Sequence, residues 1–122
     1  MSSGLAIYDA IRGAKNQVSI SCYGSCQSIA VVILQAASTR LLSRNCEIMI
    51  HGGSVSTDGD ADHKLADLQN ITKNMASSNR KYYSILAKRS GLSIETVEAM
   101  CQNDYYMTPT QAIRTGFADG FV

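Results

Sequence analysis

The sequence lacks any long apolar run. Its longest covers residues 29–34, Ile-Ala-Val-Val-Ile-Leu, far short of the roughly 20 residues that a membrane-crossing helix needs. No membrane partner is expected. Charge of either sign is also in short supply. The formal net charge is +1, with no basic patch and no charged tail, so the electrostatic footprint of a nucleic-acid binder is missing. So low a net charge leaves little repulsion between copies and permits self-association. There is no C-x-x-C pair among Cys22, Cys26, Cys46 and Cys101, and no second cluster at zinc-ligand spacing. Neither metal nor cofactor is expected, and the cysteines are expected as free thiols in a reducing, cytoplasmic compartment. Met1 leads directly into Ser2-Ser3-Gly4, without the charged and apolar regions of a secretory signal. Internal repeats and low-complexity segments are missing too.

What is present fits one α/β domain over residues 1–122. Apolar residues make up 45% of the chain, an ordinary share for a globular protein. Leu5, Tyr8 and Ile11 recur at helical spacing over residues 5–11, with Gly13 as the stop. Residues 17–22 alternate around Val18 and Ile20 and read as a strand that Gly24 breaks. Residues 28–37 read as a helix apolar all round, hence buried. Residues 47–50 read as a strand ending at His51-Gly52-Gly53, and residues 54–60 as a soft linker. A long polar helix is expected over about 61–90. Its narrow stripe of Leu65, Leu68, Thr72, Met75, Asn79, Tyr82 and Leu86 suits a protruding helix that meets a partner along one seam. Ser93 caps a short helix to about 101. Thr108-Pro109 opens a last one that Gly116 closes, and residues 117–122 are a possible final strand. Strands separated by helices favour parallel pairing, and so few of them suggest the latter part of an α/β domain.

Three residues stand where chemistry is plausible. Ser28 follows Tyr23-Gly24-Ser25-Cys26-Gln27 at the start of a buried helix, where free backbone N–H groups and a positive local field suit a nucleophile whose attack creates an oxyanion. An ordinary N-cap serine fits the same facts. His51 ends a strand and has the near-neutral basicity of a serine's usual base; a loop-edge histidine is the plainer reading. His63, on the polar helix, is expected to be solvated. Asp104, in Gln102-Asn103-Asp104-Tyr105-Tyr106, is a candidate to orient His51, in competition with Asp119, Asp9 and the linker acids. Asp58-Gly59-Asp60-Ala61-Asp62 hints at a calcium loop, but the pattern then requires Gly where His63 stands and Glu where Gln69 stands. Cys26 reads as a small buried residue rather than a reactive thiol.

Taken in order, these segments resemble one family, the proteolytic subunit of the Clp protease (ClpP), over essentially the whole chain. Gly4-Leu5-Ala6-Ile7-Tyr8-Asp9 is similar to the helix after that family's Ser-Pro-Gly-Gly turn. Tyr23-Gly24-Ser25-Cys26-Gln27-Ser28 stands where the family has Gly-x-Ala-Ala-Ser, with Ser28 at the nucleophile. Ile48-Met49-Ile50-His51 resembles the strand that ends in the catalytic His. Asn103-Asp104-Tyr105-Tyr106-Met107-Thr108 resembles Arg-Asp-aromatic-aromatic-Leu-Ser, whose Asp is the third triad member. Residues 111–119 resemble its closing Glu-Ala-x-x-x-Gly-Leu-x-Asp.

The resemblance implies a ClpP/crotonase-like fold without its N-terminal strands and first helix. The helix at about 61–90 becomes the handle through which two heptameric rings stack. It implies a serine endopeptidase with the triad Ser28, His51 and Asp104, and with the N–H of Ile29 as an oxyanion donor. The implied partners are further copies of the chain in a ring or double ring, a ring ATPase unfoldase, and peptide or unfolded protein substrates. The departures are specific. The Ser-Pro-Gly-Gly turn that supplies a second oxyanion donor would fall before Met1, as would the region that docks the ATPase. Cys26 and bulky Gln27 replace small residues and are expected to narrow the site. Gly52-Gly53 replaces Gln-Pro and is expected to loosen the segment after His51. Two other readings follow from these departures: an assembly subunit without catalysis, and a processing enzyme of the viral-capsid type. A crotonase-like acyl-CoA role is the least favoured, because that relative works without such a triad.

Overall fold

The computed structural model describes residues 2–53 and 65–122. The linker at 54–60, its aspartates, His63 and the expected helix start at 61–64 lie outside the described residues. Among the described residues there are five helices and six strands, in the order α1 (Ser2–Arg12), β1 (Ser19–Cys22), β2 (Ser25–Gln27), α2 (Ile29–Gln35), β3 (Thr39–Leu42), β4 (Glu47–Ile50), α3 (Leu65–Ser90), α4 (Ile94–Met100), β5 (Tyr105–Met107), α5 (Pro109–Thr115) and β6 (Gly120–Phe121). The fold is mixed α/β.

The strands form two three-stranded sheets rather than one poor one. The first has the order β1-β3-β6 and is parallel throughout; the second has the order β2-β4-β5. In the second, β2 and β4 are parallel and β4 and β5 antiparallel. The chain weaves between the sheets. Gly24, at φ 72, makes the sharp step from β1 to β2, a conformation that costs glycine little. Helix α2 returns the chain to β3, and residues 43–46 take it back to β4.

Sequence expectations differ from this in instructive places. Helix α2 is seven residues, shorter than the expected 28–37, because Ser28 and Ala37 lie outside its regular turns. Strands β2, β3 and β5 were not expected; each is three or four residues long and gains its order from neighbours rather than from local pattern. The final strand is only Gly120–Phe121, since Phe117 and Ala118 are buried as core instead. The caps match expectation. Ser93 accepts from the Thr96 N–H at 3.1 Å. Thr108 and Gln111 close a capping box ahead of Pro109.

The core is built from Val31, Val32 and Leu34 of α2, Leu42 of β3, Ile48 and Ile50 of β4, Tyr82 and Leu86 of α3, Val97 of α4 and Phe117. One buried polar knot ties its far side. The Arg40 guanidinium donates to Gln35 Oε1 (2.6 Å), the Gly116 carbonyl (2.8 Å) and both Asp119 oxygens (2.8 and 3.2 Å). Gln35 in turn donates to the carbonyls of Val31 and Phe117. The stripe of α3 divides along its length. Tyr82 and Leu86 are buried, Met75 and Asn79 half-buried, and Thr72 and Leu65 exposed. Among the described residues, α3 meets the body from about Met75 to its C-terminal end.

Candidate active site

Strand register brings the three candidate residues to one edge. In the second sheet Gln27 stands opposite Met49 and Ile50 opposite Tyr105. Ser28 therefore follows the last residue of β2, His51 the last of β4, and Asp104 precedes the first of β5. The carboxyl edge of parallel strands is where α/β folds commonly gather their functional groups. The contacts follow from that placement. His51 Nε2 lies 2.9 Å from Ser28 Oγ. On the other side of the ring, His51 Nδ1 lies 3.4 Å from Asp104 Oδ1.

Ser28 is held in a strained turn. Its φ is 56° and its ψ −124°, and it is the only non-glycine at positive φ among the described residues. Strain of this kind costs about 1–3 kcal/mol and persists only where the surroundings enforce it. Here the Ser28 N–H donates to the Met49 carbonyl at 2.8 Å. Its carbonyl accepts from the Val31 N–H at 3.0 Å and from the Tyr82 hydroxyl at 3.3 Å. The side chain makes no capping bond, so the ordinary N-cap reading of this serine does not describe it. With both backbone groups engaged, Oγ is left to face His51. The Ile29 N–H opens α2 and donates to no backbone carbonyl among the described residues, which leaves it available to an incoming oxyanion.

The site is open on its acid side. The His51 side chain is 35% exposed and the Asp104 side chain 60%. At 3.4 Å the carboxylate is in ion-pair range but beyond a good hydrogen bond.

Two expectations about the neighbours need correction. Gln27 does not narrow the site, because its amide turns along the sheet to Glu47 Oε1 at 3.2 Å. Gly52-Gly53 is pinned rather than loose. The Gly52 N–H donates to the Cys101 carbonyl at 2.9 Å. Gly53 donates its N–H to Asn79 Oδ1 (2.9 Å) and accepts from Asn79 Nδ2 (3.1 Å). A Cβ at Gly52 would meet the Tyr83 hydroxyl, and one at Gly53 would crowd Met75 and Asn79. Close approach to Tyr83 and to the Cys101 carbonyl thus favours glycine at 52, whereas at 53 the atoms met are side-chain ends that can give way. Sequence reading missed Asn79, Tyr82 and Tyr83 as neighbours of the site; it saw 79 and 82 only as members of a stripe.

The remaining candidates fall away from this edge. Asp119 serves Arg40, whose guanidinium holds its carboxyl below the usual range. Cys26 is buried, and its hydrogen bond with Cys22, with burial, pushes its thiol far up, so it remains protonated. All four cysteines are free. No cluster of three or more metal-ligating side chains exists among the described residues. Nor is any described helix long and apolar enough to cross a membrane.

A family comparison bears on the chain as a whole: the Clp protease family model matches residues 1–122. The chain belongs to the Clp protease family. Every segment that carries the resemblance, from Gly4 to Asp119, lies within the match, and with it the expectation of a ClpP-like peptidase. The Clp protease match covers both sheets and all five helices described above.

Proposed function

We propose that this chain is a serine endopeptidase subunit in which Ser28 is the nucleophile, His51 the general base and acid, and Asp104 the residue that orients His51. The observation that carries the proposal is the 2.9 Å approach of His51 Nε2 to the oxygen of a serine held at φ 56°. In acylation, His51 Nε2 takes the Ser28 proton while Oγ bonds to the scissile carbonyl carbon. The carbonyl oxygen takes up the electron pair and is met by the Ile29 N–H. Collapse breaks the C–N bond, and His51 returns the proton to the departing amine. Water then attacks the acyl ester by the same proton path and frees Ser28. Asp104 accepts the Nδ1–H of His51 and stabilises the imidazolium formed in each half.

With Ile29 as the donor supplied here, a second must come from elsewhere for full rate; loss of one oxyanion donor costs on the order of 10²–10³ in kcat. Assembly is part of the proposal. Leu65 and Ile71 are exposed on the half of α3 that leaves the body, and edge strands β1, β2, β5 and β6 offer unpaired backbone. Copies joined along α3 in the manner of a handle would cover them in a ring or double ring. Peptides or unfolded chains are the substrate class, and a ring ATPase the candidate supplier.

A second reading, an assembly subunit without turnover, is favoured by the long contact and 60% exposure of Asp104. Hydrolysis of a short fluorogenic peptide by the wild type beside Ser28→Ala separates the two. Turnover that disappears in the variant is expected. Equal rates in both would defeat the peptidase proposal.

A further inference from the structure

Helix α3 reaches the catalytic pair with two side chains one turn apart, and neither touches a reacting atom. The Tyr82 hydroxyl, buried with a side chain 1% exposed, donates to the Ser28 carbonyl at 3.3 Å. That oxygen ties the main chain of Ser28 to α3. Asn79 holds the next stretch. Its amide makes a reciprocal pair of hydrogen bonds with Gly53, at 2.9 and 3.1 Å, as a neighbouring strand would. The helix therefore grips β4's extension at Gly53 and the elbow at Ser28 from a single face.

We propose that Tyr82 and Asn79 are positioning residues that set the Ser28–His51 separation from α3. The inference rests on the peptidase reading for its consequence, but the positioning itself does not depend on it. The physical reason is the demand for a fixed reacting geometry. A shift of about 1 Å in a catalytic contact costs on the order of 100-fold in rate. Ser28 occupies a conformation that its own backbone disfavours, and His51 stands at the end of a four-residue strand. Short strands fix position weakly, so external braces are needed. Tyrosine serves at 82 because its hydroxyl, at the end of a buried ring, donates to the Ser28 carbonyl. Asparagine serves at 79 because only a side-chain amide matches both backbone groups of Gly53. A proline at 53 would have no N–H to give.

The test uses the full chain with Tyr82→Phe and Asn79→Ala, and with Lys88→Ala, an exposed position on the same helix, as control. Tyr82→Phe retains the ring and its packing, so it removes the hydrogen bond to Ser28 alone. The first readout is the imidazole proton signal of His51, identified by its loss in His51→Ala and distinct from that of His63. The second is the rate at which a fluorophosphonate labels Ser28, measured well below the unfolding temperature. Each variant is expected to displace or broaden the His51 signal and to slow labelling about ten-fold, which corresponds to the loss of one or two ordinary hydrogen bonds; Lys88→Ala is expected to do neither. His51 signals that superimpose on the wild type in both variants would overturn the inference. So would unchanged labelling rates accompanied only by a lower unfolding temperature, since that is what a purely structural role gives. If the His51 signal moves while wild-type Ser28 resists labelling altogether, the positioning stands and the peptidase reading falls.

Discussion

Replacing Gly52 by alanine gives a sharp test of how the histidine is held. A Cβ at Gly52 would run into the Tyr83 hydroxyl and stand 3.3 Å from the Cys101 carbonyl. Neither neighbour yields readily. Tyr83 is 8% exposed and packs edge-on against Tyr82, with ring centroids 5.9 Å apart. The Cys101 carbonyl is fixed by its own bond from the Gly52 N–H. Overpacking of this kind costs about 1–3 kcal/mol, and loss of the Gly52–Cys101 bond adds about 1 kcal/mol. A destabilisation of roughly 2–4 kcal/mol is expected for Gly52→Ala. Because Cys101 lies three residues before Asp104, the same clash should part the His51 and Asp104 segments and slow labelling of Ser28. Tyr83→Phe removes the oxygen that obstructs the methyl group. The double variant should therefore recover more than half of the lost stability, a coupling that a double-mutant cycle measures directly. Urea unfolding of the four proteins supplies the free energies, and fluorophosphonate labelling the reactivity. Additive effects, or a Gly52→Ala protein as stable as the wild type, would refute the idea that glycine is required here by Tyr83.

Other consequences concern charge, thiols and the buried knot. The Asp119 carboxyl is held below its usual range by Arg40; a depressed carboxyl contributes stability above its unfolded pKa and loses it as pH falls through the folded one. Stability should thus decline as pH drops below about 4, and Asp119→Asn should be less stable at neutral pH with a flatter acid limb, as read from urea midpoints across pH. Cys22 is half-buried and its thiol is lowered by the hydrogen bond with Cys26, whereas burial pushes Cys101 up to about 11. Iodoacetamide should therefore modify Cys22 first in the native protein, as peptide mass mapping would reveal, and equal rates at Cys22 and Cys101 would contradict this. Gln35→Leu strips the Arg40 guanidinium of one acceptor and leaves the Phe117 carbonyl without its donor. It should cost about 2–4 kcal/mol in urea unfolding, because buried polar partners are left unpaired.

Legibility in the sequence followed how local each feature is. The caps at Ser93 and Thr108, and the glycine stop at Gly116 (φ 98°), were readable because one turn of chain decides them. Strand β2 was not readable, since Ser-Cys-Gln carries no strand pattern and is ordered by pairing with β4. Likewise Asp104 looked like any helix-linking aspartate. Only the family pattern singled it out, and its place beside His51 depends on the antiparallel register of β5 with β4. The Gly52-Gly53 pair misled for the same reason: its rigidity comes from Tyr83 and Asn79, some thirty residues along the chain. Tyr82 fitted an apolar stripe, and nothing local marked its hydroxyl as a bridge to Ser28.

The central claim, that Ser28 is a nucleophile activated by His51, is tested most directly by covalent trapping. The assembled wild-type protein would be treated with a fluorophosphonate beside Ser28→Ala and His51→Ala, and the adduct mapped by mass spectrometry. A single adduct on Ser28, absent from both variants, is the expected result. A wild-type protein that stays unmodified, or an adduct on Ser28 that forms equally fast without His51, would contradict it.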